Sequence, residues 1–168
     1  MSKLRNMRVI QIQTFRAVSS GSMTFDQLFG PGGFDEWRKA HDHLLISPVY
    51  DPPCLLWHEG ARETWGHGQN VFIWAVKDGV TSADTAPYEV IEFPGGMFLV
   101  ATGDEKEPED LNETVSRMFK WIEDSDVFEY GDFPKSGMCN MPEVGGRIDK
   151  VLGIEQQQVF LPLKFRTK

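Results

Sequence analysis

The chain carries nearly the same stretch of sequence twice, and a near-repeat restricts the possible folds more than any other feature. Met7-Arg-Val-Ile-Gln-Ile-Gln13 is answered by Tyr88-Glu-Val-Ile-Glu-Phe-Pro94, with Val9, Ile10 and Ile12 matching Val90, Ile91 and Phe93. Each stretch runs into a second apolar one, Phe15 to Val18 and Met97 to Val100, and then reaches a small turn at Ser20-Gly21 and Thr102-Gly103. A helix-like segment follows in both halves, and both close on a strand, Val71-Phe72-Ile73 answering Val159-Phe160-Leu161. A repeat of this period implies two copies of one supersecondary unit, over about 7–79 and 87–166. Two copies also create a seam, and ligand pockets tend to form at seams between packed units.

At 168 residues the chain fits one domain, 1–168, and each half is short enough that a single shared core is expected. The net charge of −8 speaks against non-specific nucleic-acid binding, which needs Lys and Arg against phosphate. Cys54 and Cys139 stand in apolar, strand-like settings and read as buried reduced thiols rather than a disulfide framework or a metal cluster. No apolar h-region follows Met1 to Met7, and no apolar run approaches membrane-spanning length, so a cytoplasmic location without membrane contact is expected.

The local patterns give an α+β chain. Val9 to Val18 reads as one or two strands. Thr24 can cap a helix beginning at Phe25, which Gly30 to Gly33 breaks. Phe34, Trp37, His41, Leu44 and Leu45 recur at helical spacing up to the stop at Ser47-Pro48. Cys54 to Trp57 is a strand, Gly60 to Asn70 a hairpin loop, and Val71 to Val76 the return strand. On that return strand Phe72, Trp74 and Val76 point one way and Val71, Ile73 and Ala75 the other, so both faces read as buried. Leu111 to Asp124 is a helix whose apolar face is Leu111, Val115, Met118, Phe119 and Ile122, and Trp121 falls off that stripe as a surface ring or a lid. The acidic run Asp104 to Asp110 reads as a solvated lead-in to this helix, with a contact surface for a basic protein as the alternative.

The order strand, strand, helix, strand, strand, taken twice, together with specific residues, resembles the GyrI-like small-molecule-binding family. The same domain is the effector-binding part of multidrug-responsive bacterial transcription activators. The resemblance rests on Phe25 to Phe29 with Phe34 to Trp37 as the first helix segment, and on Phe72 to Gly79 as an aromatic-x-aromatic strand with a glycine turn. It rests also on Tyr88 to Gly96 as the mid-chain strand, Leu111 to Trp121 as the second helix and Phe160-Leu-Pro-Leu163 as the closing strand. It implies two units related by a pseudo-two-fold, with antiparallel sheets around a central, aromatic-lined cleft that takes planar, often cationic, apolar compounds. In the family a glutamate on the penultimate strand, four residues before a proline, commonly faces that cleft, and some members resemble hydrolases that use it. Here Met138 stands four residues before Pro142. A thioether neither pairs strongly with a cation nor acts as a general acid or base. Glu59 and Glu129 are the carboxylates that could replace it from nearby.

The expected ligand-binding residues are therefore Trp37, Trp57, Phe72, Trp74, Tyr130 and Met138. Trp74 leads because its strand reads as buried on both faces and the family places a pocket aromatic there. No catalytic residue, metal or cofactor is expected: His41 and His43 are spaced by two and do not share a helix face. His58 and His67 lack the His-Glu-x-x-His spacing of zinc hydrolases, and His58 is the one strand histidine suited to a haem. The function expected is that of a stand-alone protein binding an apolar or planar aromatic compound, in transcription regulation through a separate DNA-binding partner or in sequestration of a drug or toxin. The alternatives are a hydrolase of a reactive small molecule and a protein-interaction inhibitor of a gyrase-like enzyme acting through residues 104–110.

Overall fold

The computed structural model describes residues 6–47, 53–60, 67–141 and 147–167. Most of the expected hairpin loop, residues 61–66 with Trp65, lies outside the described residues, as do Pro48 and Pro142. In chain order the elements are β1 (Arg8–Ile12), β2 (Phe15–Ser19), α1 (Phe25–Phe29), α2 (Phe34–Ala40), a 3-10 turn (Asp42–Leu44), β3 (Cys54–His58), β4 (Asn70–Ala75) and β5 (Glu89–Phe93). They continue with β6 (Gly96–Asp104), α3 (Pro108–Glu123), β7 (Phe128–Tyr130), β8 (Met138–Asn140), α4 (Arg147–Leu152) and β9 (Gln156–Phe165). The architecture is α+β with antiparallel strand pairing. The chain divides into two compact units, one running from Gln13 to Gly95 and one joining the residues up to Ile12 with those from Gly96 onward.

The contiguous unit holds an antiparallel sheet in the order β3-β4-β2-β5. Helix α1 begins where side chains satisfy the orphan amides of a first turn. Thr24 and Gln27 form a reciprocal capping box: the Thr24 hydroxyl accepts the Gln27 amide at 3.3 Å, and the Gln27 side chain accepts the Thr24 amide at 3.0 Å. The second helix is shorter than its apolar periodicity suggests. It stops at Ala40, where His41 folds back with Nδ1 2.8 Å from the Trp37 carbonyl oxygen, and the chain tightens into the 3-10 turn. The Ile46 amide then bonds the Ala75 carbonyl (3.0 Å) and the Lys77 amide the Leu44 carbonyl (3.0 Å), which ties this turn to the end of β4. Val18, Leu28, Phe34, Leu45, Val76 and Val80 form the buried core between sheet and helices.

The discontinuous unit holds the order β1-β6-β9-β8, with β7 also paired to β9. Helix α3 packs on β6 at Gly103, where a Cβ would meet the Leu111 Cα at 3.2 Å, so the glycine sets how closely the helix approaches. The helix begins earlier than the apolar stripe implies, with Pro108 at its first turn, and it buries Met118 and Ile122 as expected together with the polar Asp110 and Thr114. Leu111 and Val115, expected on the buried face, are half-buried. Trp121 is no free lid: its ring stacks on Phe128 with centroids 6.0 Å apart.

The acidic run corrects the sequence reading in part. Asp104 and Asp110, at its two ends, are 1% and 5% exposed, and only Glu105 to Glu109 between them face solvent. The reason is local hydrogen bonding. An Asp110 carboxylate oxygen accepts the Asp104 amide at 2.9 Å, and Asp104 Oδ1 accepts the amides of Lys106 and Glu155, each at 3.1 Å. These carboxylates bind backbone N–H groups where the chain turns from β6 into α3. Burial, and then the charge of Glu155, raise the carboxyl pKa of Glu105.

Candidate ligand-binding site

Directly paired residues in an antiparallel ladder point to the same side of the sheet, and neighbours along a strand alternate. In the contiguous unit Trp74 pairs with Val18 on one flank and Cys54 on the other, and Phe72 pairs with Leu56. Trp37, Phe72 and Trp74 all pack against the core that holds Leu28 and Phe34. That side of the sheet therefore faces α1 and α2. Trp57 pairs with Val71 and so stands on the other side, 6% exposed, with its ring 6.2 Å from Phe93.

The helix side carries a connected layer of rings. Phe34 is fully buried at its centre, 5.6 Å from Phe72, 5.8 Å from Trp37 and 4.8 Å edge-on from Tyr88. Trp37 meets Tyr88 edge-on at 5.1 Å and stacks on His41 at 4.5 Å. Phe72 continues the layer to Trp74 at 6.2 Å and to Phe29 at 5.9 Å. Edge-on and offset contacts of this kind are the favoured aromatic geometries. Phe34 comes from α2, and Phe72 and Trp74 from β4, so the layer forms where α2 lies across β4. Trp37, Phe72, Trp74 and Tyr88 are only half-buried, so the layer is not sealed.

Two polar features mark its rim. The Trp74 indole N–H donates to the Ile46 carbonyl at 3.0 Å, while the Arg38 guanidinium lies over the ring, 4.4 Å from its centroid. The Trp37 Nε1–H is buried and has no acceptor among the described residues. Arg38 Nε also donates to Asp35 at 2.9 Å, and Lys39 pairs with the other Asp35 oxygen at 2.7 Å. Burial alone would raise the Asp35 carboxyl, but the hydrogen bonds from Lys39 and Arg38 outweigh it and hold its pKa below the usual range.

The remaining expected residues lie apart from this layer in kind. Tyr130 belongs to the discontinuous unit, on the α3 side of its sheet. Its ring stacks on Phe119 at 5.4 Å and its hydroxyl donates to the Lys135 carbonyl at 2.8 Å. Met138, in the same unit, pairs with Phe160 on the side turned away from α3 and is 1% exposed. Neither alternative carboxylate is a buried one. Glu59 is exposed and accepts the Ser22 hydroxyl. Glu129 lies 3.8 Å from Lys164 Nζ and 3.9 Å from Arg166 Nη1 at the β7 edge. His41 and His43 stack on each other at 6.1 Å, and His58 is 2% exposed. Among the described residues no group of three or more His, Cys, Asp or Glu side chains is placed to hold a metal ion. No helix there is long and apolar enough to cross a membrane.

No family model matches the sequence, and no curated relative does. Solved structures do match. The structure of SAV2435 bound to tetraphenylphosphonium superposes with a TM-score of 0.57 over 95% of this chain and 94% of that one, at 15% identity. A chain of the EcmrR–DNA complex superposes with a TM-score of 0.67 over 95% of this chain, at 12% identity. These likenesses cover the same span as the residues that resemble the GyrI-like family. The protein has a GyrI-like fold. At such low identity the GyrI-like likeness is one of backbone, and it carries no site residue across. This chain spans only 57% of the EcmrR chain, so a GyrI-like fold accounts for part of that protein. Arg38 and Tyr88 went unmarked as site residues in the sequence. Arg38 sits on the polar flank of a helix, and Tyr88 precedes its strand, so neither fits a pocket pattern.

Proposed function

We propose that the protein binds a small, largely apolar aromatic molecule, and that Trp37, Phe72 and Trp74 are the residues that contact it. The observation that carries this reading is the unsealed aromatic layer, in which those residues stand together around Phe34 and Tyr88. Half-buried rings held by rigid elements offer large contact area at little ordering cost, and each ring pair with a ligand adds about 0.5–1.5 kcal/mol beyond area burial. SAV2435, similar in fold, is bound to tetraphenylphosphonium in its structure, and EcmrR, also similar, is found in a complex with DNA. The first supports a ligand-binding role for this fold, and the second is consistent with a regulatory setting. Trp57, Tyr130 and Met138 are assigned to packing, because each is buried or engaged in its own unit. Ligand binding rather than hydrolysis is favoured because Glu59 and Glu129 both sit at the surface with partners.

Titration of the intrinsic tryptophan fluorescence with N-phenyl-1-naphthylamine tests this. Saturable quenching is expected, weakened roughly three- to tenfold in Phe72→Leu and in Trp37→Leu, as the loss of one ring contact implies. Quenching that neither substitution alters would place the ligand elsewhere, and no saturable response to any aromatic compound would end the reading.

A further inference from the structure

We propose that Arg38 sets the charge preference of this site, turning away cationic aromatic compounds and admitting neutral and anionic ones. The inference rests on the ligand-binding reading above and adds the class of ligand. A lipophilic cation gains from an aromatic site by placing its charge over a ring face. At Trp74 that place is held by the protein itself, with the Arg38 guanidinium carbon 4.4 Å from the ring centroid. An incoming cation would have to displace Arg38 or bind beside it, and two like charges about 5 Å apart repel appreciably in a partly desolvated site.

The surroundings offset that charge only in part. Asp35 accepts from Arg38, but it also pairs with Lys39, so one carboxylate faces two cations. The residues in register with Trp74 on either flank are Val18 and Cys54, neither of them a carboxylate. Burial pushes the Cys54 thiol up to about 12, so no thiolate forms there near neutral pH. The Trp37 indole N–H, buried within this layer, is a further donor and has no acceptor among the described residues. A guanidinium at the rim of the layer matches a ligand bearing an acceptor or an anionic group.

Tetraphenylphosphonium and tetraphenylborate, ions of the same shape and opposite charge, test the proposal on the full chain, with N-phenyl-1-naphthylamine as the neutral reference. Wild type is expected to bind the borate at least about tenfold more tightly than the phosphonium. In Arg38→Gln the phosphonium gains relative to the borate, so that their ratio falls by roughly tenfold, a ratio in which any loss common to both ions of the same shape cancels. Arg38→Lys keeps the wild-type order. On wild type alone, raising the salt concentration strengthens phosphonium binding and weakens borate binding, as screening of a fixed positive charge requires. If the ratio is unchanged in Arg38→Gln while the neutral compound still binds, Arg38 is a packing residue and the inference falls, although the binding reading stands. If no compound binds wild type, both fall.

Discussion

Trp57 and Trp74 lie on adjacent strands of one sheet and point to opposite sides of it. The pairing Cys54–Trp74 and Trp57–Val71 fixes this, because a single step along β3 reverses the face. Trp74 joins the rings under α2, and Trp57 joins Phe93 on the side away from the helices.

The two tryptophans therefore separate binding from stability. Trp57→Leu is expected to cost about 2–3 kcal/mol in urea denaturation, within the range for truncating a buried aromatic, and to leave N-phenyl-1-naphthylamine affinity within about twofold. Trp74→Leu, at a half-exposed ring, is expected to cost less stability and more affinity. Equal losses of affinity in both would show that the side of the sheet does not matter.

Met138→Glu places a carboxylate at a position 1% exposed, in register with Phe160. Burying an unpaired charge is expected to destabilise the variant by about 3 kcal/mol or more at neutral pH. The new carboxyl is pushed upward by burial, so its neutral form is favoured on folding. The variant's deficit relative to wild type is then smallest below the ordinary glutamate range and grows as pH rises through the elevated value. Thermal melts between pH 4 and 8, within roughly that window, read this directly. A variant as stable as wild type, with new affinity for tetraphenylphosphonium, would instead place Met138 in the ligand site.

The buried thiol of Cys54, raised to about 12 from 9.0, makes a chemical prediction. Below pH 9 its thiolate fraction is reduced by 12 − 9.0, three pH units, or roughly a thousandfold. Alkylation by iodoacetamide at pH 8 is expected to be limited by opening of the structure and to accelerate sharply in urea. The same shift contributes stability that is complete below the unfolded value near 9 and is lost as pH rises toward 12, and Cys54→Ala should remove that alkaline loss. Rapid labelling of Cys54 in the native protein would contradict the burial.

Asp110 is expected to behave as an internal part of the β6–α3 turn. Asp110→Ala leaves the Asp104 amide without its 2.9 Å acceptor, and about 1–3 kcal/mol of stability is expected to go with it. Glu107→Gln and Glu109→Gln, on the exposed middle of the run, should change stability by no more than about 0.5 kcal/mol. If Asp110→Ala proved as silent as these, the acidic run would be the solvated surface its composition suggests.

Much of the fold was legible because it rests on local chemistry. The Thr24 cap, the glycine break at Gly30 and the alternation along Val71–Val76 each depend on neighbours in sequence, and each is present. The site was less legible because register and tertiary contact decide it. Nothing local says that Trp57 and Trp74 face apart, since the register between β3 and β4 fixes their sides. Periodicity placed Met118 and Ile122 on the buried line of α3 but not Asp110 and Thr114. Asp110 and Thr114 turn inward because backbone partners meet them there: the Asp104 amide at the end of β6 donates to the Asp110 carboxylate, and the helix's own Asp110 carbonyl accepts the Thr114 hydroxyl at 2.9 Å. An apolar-stripe reading cannot anticipate polar burial of that kind. Arg38 is the same case in reverse: a residue typical of a solvated helix flank becomes notable only through the ring beneath it.

The pairing of β1 with β6 has a consequence for how the chain is made. During synthesis Arg8–Ile12 emerges before the contiguous unit, yet the edge it hydrogen-bonds belongs to Gly96–Asp104, beyond the whole of that unit. The contiguous unit has its partners in hand as soon as β5 is complete, and closing its loops is entropically the easier task. This early strand is thus among the last to be seated. Until β6 arrives, an apolar ribbon of Val9, Ile10 and Ile12 waits with open backbone groups, and a chaperone or a second nascent chain would meet the protein there first.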